Sequence, residues 1–119
     1  GELRALPFDL VAPPENPPRN LTIIRGRNPF AGVTVGNLSP ALSEEIGLES
    51  GLKGVVVVKI ENRSTAARLG FRPYDIIRAI NGVAVKRVTD LERTAADPKS
   101  RWNMEIQRGN RTIQFQVSG

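Results

Sequence analysis

The sequence predicts a mainly β domain with two or three short helices, arranged as a β-sandwich or partly open barrel. Val55–Ile60 (VVVVKI) is a β-branched run typical of a strand that is buried on both faces. Asn81-Gly82 is the preferred two-residue link of a β-hairpin, and it joins the apolar runs 75–80 and 83–85. Between these strands, start and stop signals for helices lie only a few residues apart.

Two short helices are predicted from their caps. Ser39 can accept a backbone N–H at the open end of a helix, and Pro40 suits the first helical position. Gly47 supplies the left-handed residue that ends this helix. Ser64 and Gly70 bracket the second helix in the same way.

A third helix is predicted after the hairpin. Thr89 and Glu92 have the spacing of a capping box, in which each side chain bonds the other's free backbone N–H. Asp97-Pro98 ends the helix, because the residue before a proline avoids helical geometry.

Four further strands follow from apolar alternation. Leu21–Ile24 is a short strand, and Phe30–Leu38 places Val33 and Val35 on one face. The last two strands join at Gly109-Asn110, and the first of them places three apolar residues on its core face: Trp102, Met104 and Ile106.

The N-terminal quarter of the chain is predicted to connect this domain to a preceding module. Residues 12–19 (APPENPPR) are Pro-rich and polar, which is typical of an extended, semi-rigid linker. Residues 1–11 resemble the last strand of the chain, since both have alternating apolar residues after a glycine and an arginine. The predicted division is a remnant strand at 1–11, a linker with a lead-in strand at 12–27, and one domain at 28–119. Chance similarity between two amphipathic strands explains the resemblance equally well.

The composition argues against catalysis and against nucleic-acid binding. The chain has no histidine and no cysteine, which removes the usual general base, a Ser-His-Asp triad and thiolate metal ligands. No metal or cofactor is expected. The net charge of +5 is spread over many arginines without a basic run, so a nucleic-acid surface is disfavoured. No apolar run is long enough for a transmembrane helix. A Ser-Lys dyad remains formally open, but no spacing favours it.

Residues 64–82 carry a family resemblance. Ser64-Thr65-Ala66-Ala67-Arg68-Leu69-Gly70, followed by Arg72-Pro73-Tyr74-Asp75-Ile76-Ile77 and Ile80-Asn81-Gly82, resembles the PDZ pattern G-S-P-A-A-x-A-G-L-x-x-G-D-x-I-x-x-x-N-G. This version of the pattern occurs in periplasmic serine proteases of the HtrA/DegP (Do-like) family. Thr65 stands where the family often has proline, and Tyr74 stands where it has glycine, which leaves the turn geometry at Tyr74 open. The resemblance extends over about residues 28–117 and suggests the second, C-terminal PDZ domain of such a protease.

The resemblance implies a peptide-binding site. The loop Phe30-Ala31-Gly32-Val33 would cradle a terminal carboxylate with free backbone N–H groups. Thr34 and Val35 would pair with the peptide at an open sheet edge. Three residues of the later helix would line the groove: Leu91, Thr94 and Ala95. Arg27, just upstream of the loop, would attract the carboxylate.

The resemblance implies a non-catalytic, regulatory PDZ domain of a periplasmic serine endoprotease. It would bind apolar C-termini of unfolded proteins and would contact the protease domain and other protomers of the parent protein. The alternative is a structural or assembly PDZ domain with an occluded groove. A third reading is a similar domain of a tail-specific or site-2 type protease.

Overall fold

The computed structural model describes residues 13–49 and 51–118, and in these ranges it contains seven strands and three helices. In chain order they are β1 (Thr22–Ile23), β2 (Val33–Asn37), α1 (Pro40–Ile46), β3 (Val55–Ile60), α2 (Thr65–Leu69), β4 (Ile76–Ile80), β5 (Val83–Ala84), α3 (Val88–Ala96), β6 (Arg101–Arg108) and β7 (Arg111–Ser118). The predicted remnant strand at 1–11 lies outside the described residues. Residues 13–21 form neither helix nor strand, as expected of a Pro-rich segment.

The strands form one open antiparallel sheet. Its order is β1-β2-β3-β4-β6-β7, and β5 pairs with β4 through the Asn81-Gly82 turn. Both turn residues have positive φ, +50° and +80°, as a type I′ hairpin requires. The predicted mainly β class with short helices is confirmed.

The first two helices begin and end where their caps predict. The Ser39 hydroxyl accepts the Leu42 N–H at 3.1 Å, and the Ser64 hydroxyl accepts the Ala67 N–H at 3.1 Å. The glycine after each helix has a left-handed φ, +76° after α1 and +99° after α2. These local signals therefore fix the positions of both helices.

The predicted capping box of the third helix is wrong. Helix α3 begins before Thr89, so Thr89 lies inside the first turn and cannot cap it. The third helical position is Asp90 rather than Glu92. The Asp90 carboxylate accepts the backbone N–H groups of Lys86 at 3.0 Å and Arg87 at 3.1 Å.

The turn before β4 keeps its shape without the family's glycine. Tyr74 has φ +74°, a left-handed conformation that costs a residue with a side chain about 1 kcal/mol or more. The next residue, Asp75, stabilises the turn, because its carboxylate accepts the Arg72 N–H at 2.9 Å. Asp75 is buried and also receives two bonds of 2.8 Å from the Arg108 guanidinium. The hydrogen bonds to Asp75 raise the pKa of Arg108.

The main core lies between the sheet and helices α2 and α3. Phe30 is fully buried at its centre, 5.5 Å from the Phe71 ring and 6.3 Å from the Trp102 ring. A smaller apolar cluster covers the opposite face of β3 and consists of Leu38, Leu42, Val56 and Ile76. Val55–Val57 of β3 are therefore buried on both faces, as predicted.

Candidate functional site

The predicted carboxylate loop is part of the core. Phe30 and Val33 are 0% exposed, Gly32 is buried and Ala31 is partly buried. Gly32 has φ +102°, and a Cβ there would lie 2.2 Å from the Cβ of Ser64. Because Ser64 caps α2, the loop and the start of that helix hold one another in place.

The loop N–H groups are not free, which contradicts the prediction. Ala31 donates to the Asn28 carbonyl at 3.2 Å, and Val33 donates to the Phe30 carbonyl at 3.1 Å. The Phe30 N–H is bonded to the Asn28 side chain at 2.9 Å. Gly32 donates to the Ile24 carbonyl at 2.9 Å. The acceptors for Phe30, Ala31 and Val33 lie within the loop or at nearby Asn28. The Gly32 bond instead joins the loop to a separate segment, which contains Ile24.

That segment also closes the predicted open edge of β2. Strand β1 pairs antiparallel with β2, and the partners are Thr22 with Val35 and Ile23 with Thr34. The Ile24 N–H extends the pairing with a 2.8 Å bond to the Val33 carbonyl. We call Arg19–Ile24 the lead-in segment. The sequence predicted its strand but not its partner, and so missed the closed edge.

Ile24 is the anchor of the lead-in segment. It is 3% exposed and belongs to the same buried cluster as Leu91 and Ala95 of α3. Thr94 is partly buried on the same helix. The Ile24 side chain, the predicted groove helix and β2 therefore contribute to the same apolar cluster.

Asn37 connects β2 to α3 and to the residues before β1 through three hydrogen bonds. Its side-chain oxygen accepts the Val88 N–H at 2.8 Å, which joins β2 to the first turn of α3. Its side-chain nitrogen donates to the Pro18 carbonyl at 3.0 Å, and its backbone N–H donates to the Arg19 carbonyl at 2.8 Å. No sequence pattern indicated this residue, because its three partners are distant in the chain.

The upstream part of the connector is held by charge. The Arg19 guanidinium contacts Glu15 at 2.9 Å and Glu45 of α1 at 3.1 Å. The hydrogen bond from Arg19 lowers the pKa of Glu15, and the same bond raises the pKa of Arg19. The Ala41 N–H also donates to the Pro14 carbonyl at 3.0 Å. Residues 14–19 of the connector therefore pack against the domain.

Arg27 and the loop residues Ala31 and Gly32 line two different cavities. The cavity beside Ala31 and Gly32 has a volume of about 380 Å³, and its basic lining residues are Arg25, Arg63 and Arg68. Arg27 instead lines a separate cavity of about 380 Å³ with Trp102 and Leu69, among others. Glu61 lines the cavity with these three arginines and pairs with Arg25 at 3.5 Å.

Three serine hydroxyls cap helices or lie buried. Ser39 and Ser64 act as helix caps, and the Ser43 hydroxyl is buried without a hydrogen-bond partner in the described part of the chain. Residues 13–49 and 51–118 contain no group of three acidic side chains placed to hold a metal ion. Among the helices of this part, none is long and apolar enough to cross a membrane.

The PDZ domain family model matches residues 29–118. The chain belongs to the PDZ domain family. The match includes the loop, β2 and α3, so the site described above lies entirely within the PDZ domain except for the lead-in segment.

Sequence relatives of the PDZ domain are HtrA/DegP-type proteases. Probable periplasmic serine endoproteases DegP-like from Chlamydia pneumoniae and Chlamydia muridarum are 35% and 37% identical over 66 and 68 residues, which is 56% and 57% of this chain. The putative serine protease HhoB of Synechocystis is 28% identical over 72 residues, 55% of this chain. The aligned regions are 14%, 14% and 17% of these relatives, so the chain corresponds to a small part of them.

Solved structures show the same fold. The HtrA3 PDZ domain bound to a phage-derived ligand (FGRWV) superposes with a TM-score of 0.61 at 26% identity, covering 75% of this chain and 82% of that one. The HtrA-type protease AlgW with a decapeptide gives a TM-score of 0.64 at 25% identity, covering 73% and 27%.

Proposed function

We propose that this PDZ domain is a non-catalytic, regulatory module of an HtrA/DegP-like serine endoprotease of the periplasm. In this proposal it recognises apolar C-termini of unfolded substrate proteins by strand addition to β2. The family match and the named relatives support the protease context. The HtrA3 PDZ domain is bound to a phage-derived ligand (FGRWV), and AlgW was solved with a decapeptide.

The observation that carries the proposal is the binding mode of the lead-in segment. An extended chain already lies on β2, with Ile24 bonded to the Val33 carbonyl and to the Gly32 N–H. A peptide whose last residue took the place of Ile24 would repeat both bonds. Its carboxylate would replace the neutral Ile24 carbonyl, and a charged acceptor makes a stronger hydrogen bond.

The lead-in segment is suited to exchange with such a peptide. Its strand is two residues long, and its neighbouring apolar side chains are half exposed, Leu21 at 55% and Ile23 at 45%. Burial of Ile24 contributes about 1.5–3 kcal/mol, and little else apolar holds the segment. Because the ligand must displace this segment, the apparent affinity falls by the fraction of chains in which the edge is open. We expect a Kd in the micromolar range, about −8 kcal/mol.

A second function is favoured by the same bonds. If the lead-in segment never leaves, the domain is a structural or assembly module with an occluded groove. All four loop N–H groups, from Phe30 to Val33, are satisfied within the chain. The two functions differ in whether the edge of β2 opens.

A disulfide across this edge separates the two functions. Ile23 and Thr34 are cross-strand partners, and the chain has no cysteine of its own. In a double variant with Ile23→Cys and Thr34→Cys, the oxidised form holds the edge closed and the reduced form releases it. The probe is a peptide copying residues 16–24, as the free acid and as the amide, in calorimetric titrations.

We expect the free acid to bind the reduced form and not the oxidised form, and to bind more tightly than the amide. Equal binding to both redox forms would show that recognition does not use this edge. Binding to neither form would favour the occluded assembly domain.

A matched pair of single variants tests the exchange without a crosslink. Ile24→Ser removes the buried anchor, and Ile23→Ser makes the same change at the half-exposed neighbour. We expect Ile24→Ser to bind the free acid at least about tenfold more tightly than the parent, which corresponds to about 1.4 kcal/mol. Ile23→Ser should bind like the parent. Unchanged affinity in both variants would mean that the lead-in segment does not compete with the peptide.

A further inference from the structure

Four basic residues meet at the N-terminal end of α3, although they come from three separate stretches of sequence. A cavity of about 190 Å³ lies between β4 and the start of α3, and its basic lining residues are Lys53, Arg78, Lys86 and Arg87. Its other lining residues are Gly54 and Val85. We call these four residues the basic cluster.

No side chain of the basic cluster forms an ion pair in the described part of the chain. Arg78 is partly buried, and its guanidinium donates to the Gln107 side chain and to the Lys53 carbonyl at 2.6 Å, both neutral acceptors. The nearby Asp90 carboxylate is occupied by two backbone N–H groups and by Arg93 at 2.7 Å. Four positive charges around a small cavity create a local potential that attracts an anion.

The occupant of the groove passes this cluster. Upstream of the lead-in segment, Asn16 and Pro17 line a cavity of about 320 Å³, and two cluster residues, Lys53 and Arg87, line the same cavity. The Pro18 carbonyl is held by Asn37 at the end of β2. A chain that lies on β2 therefore continues upstream along the basic cluster.

We infer that the groove takes peptides that are acidic upstream of their apolar end. Pro17 and Asn16 precede Ile24 by seven and eight residues, so acidic side chains at these distances from the ligand's last residue would face the basic cluster. This chain places an amide and a proline there, and the neighbouring Glu15 forms its ion pair with Arg19 rather than with the cluster. An acidic competitor gains a contact that the lead-in segment lacks. The inference rests on the proposed strand exchange at β2.

The test compares two peptides that differ in charge alone. Both copy residues 16–24 as free acids with an acetylated N-terminus; one carries Asn16→Glu and Pro17→Glu, and the other carries Asn16→Gln and Pro17→Gln. The host is the full chain with Ile24→Ser, in which the groove is more open. We expect the acidic peptide to bind about fivefold more tightly at low ionic strength, because exposed ion pairs contribute modestly and are weakened by salt.

Matched charge-removing variants locate the effect. Lys53→Gln with Arg87→Gln should abolish the preference for the acidic peptide. Lys59→Gln with Arg111→Gln removes the same charge at two exposed positions on β3 and β7 and should leave the preference intact.

The outcomes distinguish this inference from the proposed function. If both peptides bind with equal affinity, the inference is wrong and strand exchange stands. If neither peptide binds, both are wrong. If the peptides bind equally while anionic phosphatidylglycerol vesicles bind the parent and not the Lys53/Arg87 variant, the cluster serves a membrane surface and the inference is overturned.

Discussion

The two edges of β2 differ in how they are built. On one edge, β3 pairs with five residues, from Val33 opposite Ile60 to Asn37 opposite Val55, and Val55–Val57 are fully buried. On the other edge, β1 pairs with two residues, and Ile24 is buried while Leu21 and Ile23 stay about half exposed. Backbone hydrogen bonds form on both edges, so hydrogen bonding does not distinguish them. We therefore expect the amount of apolar surface that each partner buries to make the β3 edge permanent and the β1 edge exchangeable.

The largest expected effect tests whether the loop belongs to the permanent part. Phe30→Ala empties the centre of the aromatic cluster and should lower the free energy of unfolding by about 3–5 kcal/mol. Ile23→Ala, on the exchangeable edge, should change it by less than about 0.5 kcal/mol. Urea denaturation measures both. Similar losses in the two variants would remove the distinction between the edges.

The second prediction concerns the helix that walls the exchangeable edge. Asp90→Asn weakens the acceptor for Lys86 and Arg87 at the start of α3 and should cost about 1 kcal/mol at neutral pH. These bonds lower the pKa of Asp90 below its ordinary value of 3.8. The stabilisation is therefore complete above that value and is lost as the pH falls through the lower, folded-state pKa.

The parent and Asp90→Asn should accordingly converge in stability on acidification, as followed by denaturation at a series of pH values. Glu92→Gln is the control, since the structure gives Glu92 no capping role. A gap between parent and Asp90→Asn that is unchanged at low pH would contradict the cap.

The smallest predicted effect comes from a substitution that should stabilise the β3 edge of β2 without stabilising the β1 edge. Tyr74 has φ +74° and donates to the Val57 carbonyl of β3, while its side chain is 45% exposed. Tyr74→Gly relieves the left-handed strain and should stabilise the domain by about 0.5–1 kcal/mol.

Amide hydrogen exchange shows where that gain appears. The Leu38 N–H, bonded to the Gly54 carbonyl, should gain protection through global stability. The Gly32 and Ile24 N–H groups, which open with the lead-in segment, should not change. An equal gain at all three would mean that both edges open together.

Local chemistry explains how much of the fold is predictable. Ser39 and Ser64 act within one helical turn, and the Asn81-Gly82 hairpin needs no distant partner, so each is visible in a few residues. The alternation of Trp102, Met104 and Ile106 likewise gives their buried face correctly. The capping box predicted for the third helix is wrong because the helix begins at Val88, which places Asp90 rather than Glu92 at the third helical position.

The candidate site depends on pairings that no local pattern contains. Apolar alternation predicts a strand at Leu21–Ile24, but no local signal identifies β2 as its partner. The basic cluster was missed for the same reason, since the charges looked dispersed along the chain and only folding brings Lys53 to Arg87. Whether Phe30–Val33 captures a carboxylate stays a prediction.

The lead-in segment has a thermodynamic consequence. Binding to an empty apolar groove removes surface from water and lowers the heat capacity. Here an incoming peptide buries its last side chain while Ile24 leaves its 3%-exposed position for solvent, so the two contributions nearly cancel. Peptide binding to the parent chain should therefore show an enthalpy almost independent of temperature. In Ile24→Ser, which gives up little apolar surface, the same titration should show a clearly negative heat-capacity change.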